Sequence, residues 1–273
     1  MAIHDQYLGF LDSKLLWKND TLFELPQFDL KKTEYNPSLP INVAIHDNEV
    51  LGKRIEYFYE YYINSCTDYS VVVKNLQIFK DKITIGELDF IVENIKQNQL
   101  LHIELIYKFY IYIPKKGDNE LERWIGPNKK DNLLEKVAKL KNKQLPLLYR
   151  PETIEKLKEL GISAENISQK VSFFAQLFVP LSYQNNIIPK INNDCISGFW
   201  IHKSEFILDE YDQYQYFIPQ KKDWITAPRH HRIWHSYQEI LEQLEIHLIK
   251  KKSPLVWIKH NEDSFTKCFI VCW

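Results

Sequence analysis

The chain has 273 residues, 45% of them hydrophobic and 26% charged, with a formal net charge of −1 at neutral pH. That is the ordinary balance of a soluble globular protein, long enough for one large domain or a core with an appended subdomain. No apolar run approaches the length of a membrane span, and the first residues lack the basic and apolar regions of a secretory signal, so a cytoplasmic location is expected.

In chain order, residues 1–40 read as loosely organised, punctuated by Pro26, Pro37 and Pro40, with Trp17, Phe23 and Phe28 packing onto the core. A helix is predicted from about Asn48 to Asn64, capped by Asp47 or Asn48, with Ile55, Phe58, Tyr59 and Tyr62 at helical spacing. Three strands rich in Ile, Val, Phe and Tyr follow, over 69–79, 83–92 and 101–113, and their direct succession favours antiparallel pairing. After Gly126-Pro127-Asn128 a second helix is predicted, with Leu133, Leu134, Val137, Leu140 and Leu145 as its apolar stripe and Pro146 as its end. A short helix over 151–160 stops at Gly161, and residues 171–179 read as a fourth strand that a helix delivers into a mixed sheet. A helix over 236–249 and strands over 255–259 and 265–272 close the chain. The four cysteines, Cys66, Cys195, Cys268 and Cys272, lack zinc spacing and read as reduced structural thiols.

The second and third strands carry charge where apolar strands should not. Glu87 and Asp89 share one strand face by alternation, and so do His102, Glu104 and Lys108. Buried carboxylates cost free energy unless they are paired or coordinate a cation, so a divalent metal site is the favoured reading. The alternative for Glu87 and Asp89 is the solvent face of an edge strand; for His102 it is a packed strand histidine, and for Glu56 a solvated helix position.

Lysines cluster at 115–116, from 129 to 143, at 221–222 and at 250–252, accompanied by sixteen Tyr, fifteen Phe and seven Trp. Basic patches interleaved with aromatics suit nucleic acid, although a Lys-rich composition has a codon-usage explanation too. The candidates for phosphate contact are Lys129, Lys130, Lys136, Arg229 and Arg232, the last two beside Trp234. His231 and His235 have the spacing of a metal-binding helix face, but the zinc-protease glutamate is missing. With seven glycines and no Gly-rich phosphate loop, P-loop and Rossmann readings fail.

The order helix, three strands, helix, strand, with Asp89, then Glu104 and Lys108, and with Glu56 on the first helix, resembles the PD-(D/E)XK nuclease fold. Leu51-Gly52, Gly86-Glu87-Leu88-Asp89-Phe90, His102-Ile103-Glu104-Leu105, Lys108-Phe109-Tyr110, Gly126-Pro127-Asn128, Gln144-Leu145 and Asp223-Trp224 resemble the bacterial domain-of-unknown-function 1853 family. The resemblance implies an α/β, restriction-endonuclease-like core over 45–182. An N-terminal extension over 1–44 would pack on it, and an α+β extension over 183–273 would complete the same domain. It also implies Mg²⁺ or Mn²⁺ bound by Asp89 and Glu104, helped by Glu87, Glu56 and the Leu105 carbonyl, with Lys108 beside the attacking water. The expected activity is metal-dependent hydrolysis of DNA, preferred over RNA, with no membrane partner and with a homodimer left open. The alternative is a nuclease fold that has lost catalysis and binds nucleic acid or protein. One departure stands out: Ile106 occupies the position two residues after Glu104 where the pattern has Lys. Lys108 lies four residues on, roughly 13 Å away along a strand, so a bulge or Lys136 would have to compensate.

Overall fold

One mixed sheet organises the chain in a computed structural model that describes residues 2–18, 22–30 and 44–273, without the side chains of Leu22, Leu208 and His230. Helix α1 (Ile3–Asp12) and strand β1 (Lys14–Leu15) precede helix α2 (Leu51–Asn64). Strands β2 (Tyr69–Lys80), β3 (Ile83–Asn94) and β4 (Gln99–Tyr112) form an antiparallel meander, and the short β5 (Trp124–Ile125) adds to β4. The chain then crosses over through α3 (Leu133–Lys139) and α4 (Pro151–Glu159), and β6 (Ile167–Pro180) returns parallel to β4. Strand β7 (Ile196–His202), helix α5 (Leu208–Tyr211), strand β8 (Gln215–Phe217), helix α6 (Tyr237–Ile249) and strands β9 (Leu255–Lys259) and β10 (Phe265–Val271) follow. The sheet order is β2-β3-β4-β6-β7-β10-β9-β8, with β1 on β6 and β5 on β4. Ten strands and six helices are thus described, and the strands of the C-terminal third lengthen the same sheet.

Alternation along β6 shows why the central strands are apolar on both faces. Phe174 and Phe178 pack with Tyr7 and Phe10 of α1, Phe58 and Tyr59 of α2, and Phe90 and Ile103. Phe173, Ala175, Leu177 and Val179 pack on the other side with Leu133 and Val137 of α3, Leu140 and Trp17. A sheet covered by helices on both faces needs such continuous apolar strands. Leu147, Leu148 and Leu157 cover Leu88 and Ile91, while Ile240 and Leu244 of α6 cover Ile258 and Ile270.

The beginning of the chain differs from its sequence reading. Residues 3–12 form α1 rather than loose coil, because Tyr7 and Phe10 are spaced to bury against α2. Trp17 and Phe28 are buried as expected; Pro37 and Pro40 lie outside the described residues. Pro146 does not end the second helix. After Lys139 the chain makes a π turn over Leu140–Gln144, then a 3-10 turn over Leu145–Tyr149. Pro146 sits at the start of that 3-10 turn, where its missing N–H has no helical partner to lose. Strands β7 and β8 are also additions to the predicted set. The four cysteines are free thiols; Cys66, Cys195 and Cys268 are buried and Cys272 is exposed.

A buried polar network fastens the two ends of the chain to α2. Arg54 donates to Gln6 Oε1 and to the carbonyls of His46, Asp47 and Glu49, and Gln6 Nε2 donates to Asp223 Oδ1 at 2.7 Å. Helix α1 approaches this C-terminal segment closely: a Cβ on Gly9 would lie 2.1 Å from the Ile225 carbonyl oxygen. Gly9→Ala gains about 1 kcal/mol of helix propensity. The clash with fixed backbone outweighs it, and a net loss of about 1–2 kcal/mol is expected in urea unfolding, given typical overpacking costs.

Candidate active site

Strands β3 and β4 pair only from Phe90↔Ile103 to Asn94↔Gln99. Before Phe90, β3 pairs with β2 alone, while β4 continues beside β6 in an unbroken parallel register from Leu100↔Ile167 to Ile111↔Phe178. The two strands therefore part where Asp89 and Glu104 stand. The Asp89 Oδ2 atom fills the gap by accepting the Leu105 N–H at 2.9 Å. Burial first, and the neighbouring Glu104 carboxylate second, push the Asp89 carboxyl up to about 8.

Glu104 has no exposed surface. Its Oε1 lies 3.0 Å from His102 Nε2, and its Oε2 accepts a short hydrogen bond from Gln144 Nε2. The surrounding bonds fix the histidine tautomer. Gln169 Nε2 donates to the Leu145 carbonyl at 2.7 Å and lies 3.0 Å from His102 Nδ1. That amide nitrogen is a donor, so Nδ1 accepts and the ring proton sits on Nε2, where it is donated to Glu104. Gln144 Oε1 in turn accepts from Lys136 Nζ at 2.8 Å.

Lys136 is held down to about 8 by burial, then by the charges of Lys108 and Lys139, with Glu104 and Asp89 pulling the other way. It lines a cavity of about 270 Å³ together with Glu56, Lys108 and the Leu105–Tyr107 stretch of β4. Glu56 Oε2 accepts from Lys53 Nζ at 2.6 Å and from Asn75 Nδ2 at 2.8 Å. Burial opposes the Lys53 charge, but the Glu56 hydrogen bond and the charges of Glu56, Glu87 and Asp89 raise its pKa overall. Asp89, Glu104, Glu56 and Lys136 are thus electrostatic neighbours, and Glu87 reaches the same field through Lys53.

Lys108 is placed differently. With the β4 register continuous, no bulge brings it back toward Glu104, and its Nζ pairs with Asp131 Oδ2 at 2.5 Å. Gly126 makes room for that partner, since a Cβ there would lie 2.1 Å from Asp131 Oδ1. Lys108 also lines a second cavity of about 270 Å³ with Lys130, Lys221, Trp224 and the Gly126–Asn128 turn. The two cavities share Gly52, Tyr107 and Lys108, so together they form one groove with a lysine-rich wall.

The remaining candidates lie outside that groove. Lys129 sits 3.9 Å over the Trp273 ring. Arg229 and Arg232 are exposed on the segment between β8 and α6 and line neither cavity. His231 and His235 are not on a helix: a short 3-10 turn ends at His230, and His235 bridges to Tyr216. Among the described residues, no three His, Cys, Asp or Glu side chains form a metal-ligating group. Sequence reasoning passed over Gln144 as a site residue, as well as Gln169, Asn75, Lys53 and Lys221. Gln144 stood in a family-like segment and Lys221 in a lysine run, but Gln169 and Asn75 carried no signal.

The family model described as a domain of unknown function, DUF1853, matches residues 13–268. No curated protein and no solved structure matches the chain.

The raised Asp89 value has a thermodynamic consequence. Its ordinary value is 3.8. Between about pH 4 and pH 8 the folded chain keeps a proton that the unfolded chain has lost, so stability falls as pH rises through that window. Asp89→Asn should remove this decline. Its stability relative to wild type should grow from pH 5 to pH 9, by up to about 4 kcal/mol in urea titrations, since about three pH units separate pH 5 from the raised value and each is worth about 1.4 kcal/mol.

Proposed function

The chain belongs to the DUF1853 family, and from that premise we propose that it is a metal-dependent nuclease of the PD-(D/E)XK kind, hydrolysing phosphodiester bonds in DNA. The observation that carries this reading is the pairing of half-buried Asp89 with fully buried Glu104 at the parting of β3 and β4. Burial first, and the like charge of Glu104 second, push Asp89 toward its protonated form, so the pair is short of positive charge. The order α2, β2-β3-β4, α3-α4, β6, with β6 parallel to β4, supports the reading as well.

The donor set fits a hard divalent cation. Asp89 and Glu104, with the Leu105 carbonyl, would hold Mg²⁺ or Mn²⁺, and Glu56 would add a carboxylate across the cavity. When bound, the ion supplies Lewis acidity toward a phosphoryl oxygen and lowers the pKa of a bound water. The chain's own groups supply the rest. Lys136, at the junction of Glu104 and the cavity, takes the place that the sequence pattern assigns to Lys108. With a pKa near 8 its amine can hold or release a proton in the neutral range, and its charge faces the position of a developing phosphorane. Lys108, Lys130 and Lys221 line the path of the flanking backbone. His102, locked by Gln169, keeps Glu104 in orientation, as an outer-shell partner of a ligand does.

A second reading has its own observation. Both Glu104 oxygens are already satisfied by His102 and Gln144, and Lys108 is tied to Asp131. A nuclease fold retaining only nucleic-acid or protein binding would look the same.

Manganese titration by calorimetry, run with a supercoiled-plasmid cleavage assay, separates the two. For the enzyme, wild type should bind Mn²⁺ and nick DNA, and Asp89→Ala/Glu104→Ala should lose both. Lys136→Met should cut the rate by about 10²–10³ while keeping DNA binding, as loss of one charge-stabilising group does. Lys108→Met should cost less than tenfold. A wild-type protein that binds DNA at low salt but neither takes up Mn²⁺ nor cleaves belongs to the second reading.

A further inference from the structure

Away from the proposed metal ligands lies an ammonium group that no described carboxylate pairs with. Lys267 of β10 reaches past β7 to donate to Gln176 Oε1 on β6 at 3.1 Å, and it donates to the Trp224 carbonyl at 2.9 Å. Both acceptors are neutral, and among the described residues no carboxylate pairs with this lysine. The Gln176 acceptor is fixed by a directional chain. Ser13 Oγ–H donates to the Gly9 carbonyl, so the Tyr107 hydroxyl must donate to Ser13 at 2.7 Å. Gln176 Nε2 donates to the Tyr107 oxygen at 3.0 Å, which leaves Oε1 for the ammonium.

Lys267 lines a cavity of about 220 Å³. The other charged or titratable groups around it are Asp12, Lys14, Asp194 and the Cys195 thiol. Asp194 is paired with Lys18 at 2.8 Å, and burial pushes the Cys195 thiol up to about 12, keeping it neutral. The ammonium held by Gln176 has no carboxylate partner of its own among the described residues. A cation partly withdrawn from water without a paired anion is unfavourable, and an anion entering from solvent relieves it.

We propose that this cavity binds a small oxyanion, a carboxylate or a tetrahedral oxyanion, through the Lys267 ammonium. The reading is independent of the nuclease assignment, because none of the proposed metal or groove residues lines the cavity. Burial holds Lys267 down to about 7, so the anion should bind at pH 6 and be released as the pH rises.

The test is calorimetric titration of the full chain with sulfate and with acetate, both of which keep their charge between pH 6 and pH 8.5. Wild-type affinity should fall about thirtyfold across that range, the ratio of charged fractions for a group of pKa 7. Lys267→Arg should bind at both pH values, and Lys267→Met, if folded by circular dichroism, should not bind in the cavity. The relative affinities for acetate and sulfate then tell a carboxylate from a tetrahedral anion. No binding by wild type at pH 6 would overturn the proposal. So would a pH slope that persists in Lys267→Arg, since it would belong to another group such as Lys136, or wild-type affinity in a folded Lys267→Met.

Discussion

A carboxylate with no solvent exposure, on strand β4 of a ten-stranded sheet, is the constraint around which the candidate site is built. Left alone, the Glu104 charge would cost several kcal/mol in the interior. Four residues from four different segments remove that cost. His102 meets one oxygen, Gln144 the other, Gln169 sets the His102 tautomer, and Lys136 holds the far end of the Gln144 amide. The π turn over Leu140–Gln144 follows from the same constraint: it rotates the chain after α3 by the extra residue of a wider turn and ends on Gln144.

The same site drives two opposite groups toward one range. Burial and a like charge raise Asp89 to about 8, while burial and two nearby ammonium groups lower Lys136 to about 8. The acid and the base are thus shifted toward one range, with Lys136 lining the cavity. Pairs whose environments move their pKa values in opposite directions are a recurring mark of acid–base chemistry, though structural ion networks also produce them. Here the cavity beside them, walled by Glu56 and Lys108, favours the chemical interpretation.

Much of this was legible in the sequence. Helix α2, the β2-β3-β4 meander, β6, α6 and the closing strands follow from apolar periodicity over ten or more residues or from short β-rich runs between polar breaks. Asp89 and Glu104 were visible because a charge inside an apolar strand is conspicuous. Gln144 and Gln169 were not, because a neutral amide raises no such flag and the bonds span 40 and 67 residues of chain. Lys136 was harder to rank than Lys108 because strand counting measures distance along β4, while α3 delivers its lysine through space. Helix α1 was readable in principle from Ile3, Tyr7, Phe10 and Leu11, but the prolines that follow drew the whole segment into one irregular reading. Strands β7 and β8 are short, and β7 is interrupted by Gly198, whose missing Cβ lets the Lys267 carbonyl approach.

The C-terminal third is bound into the site rather than appended to it. The Trp273 indole donates to the Pro127 carbonyl, and Ser253 N–H donates to Asn128 Oδ1, so the last strands hold the Gly126–Asn128 turn from outside. That turn carries Lys130 and, through the space left by Gly126, positions Asp131 against Lys108. From the other side, Asp223 anchors to Gln6 and thereby to Arg54 on α2, which sets Trp224 and Lys221 on the opposite wall. Residues more than a hundred positions apart thus fix the width of one groove. A core ending at β6 would keep Asp89 and Glu104 but lose Lys221, one of the three lysines that line the second cavity. On this geometry the extension shapes the groove that leads to the carboxylates.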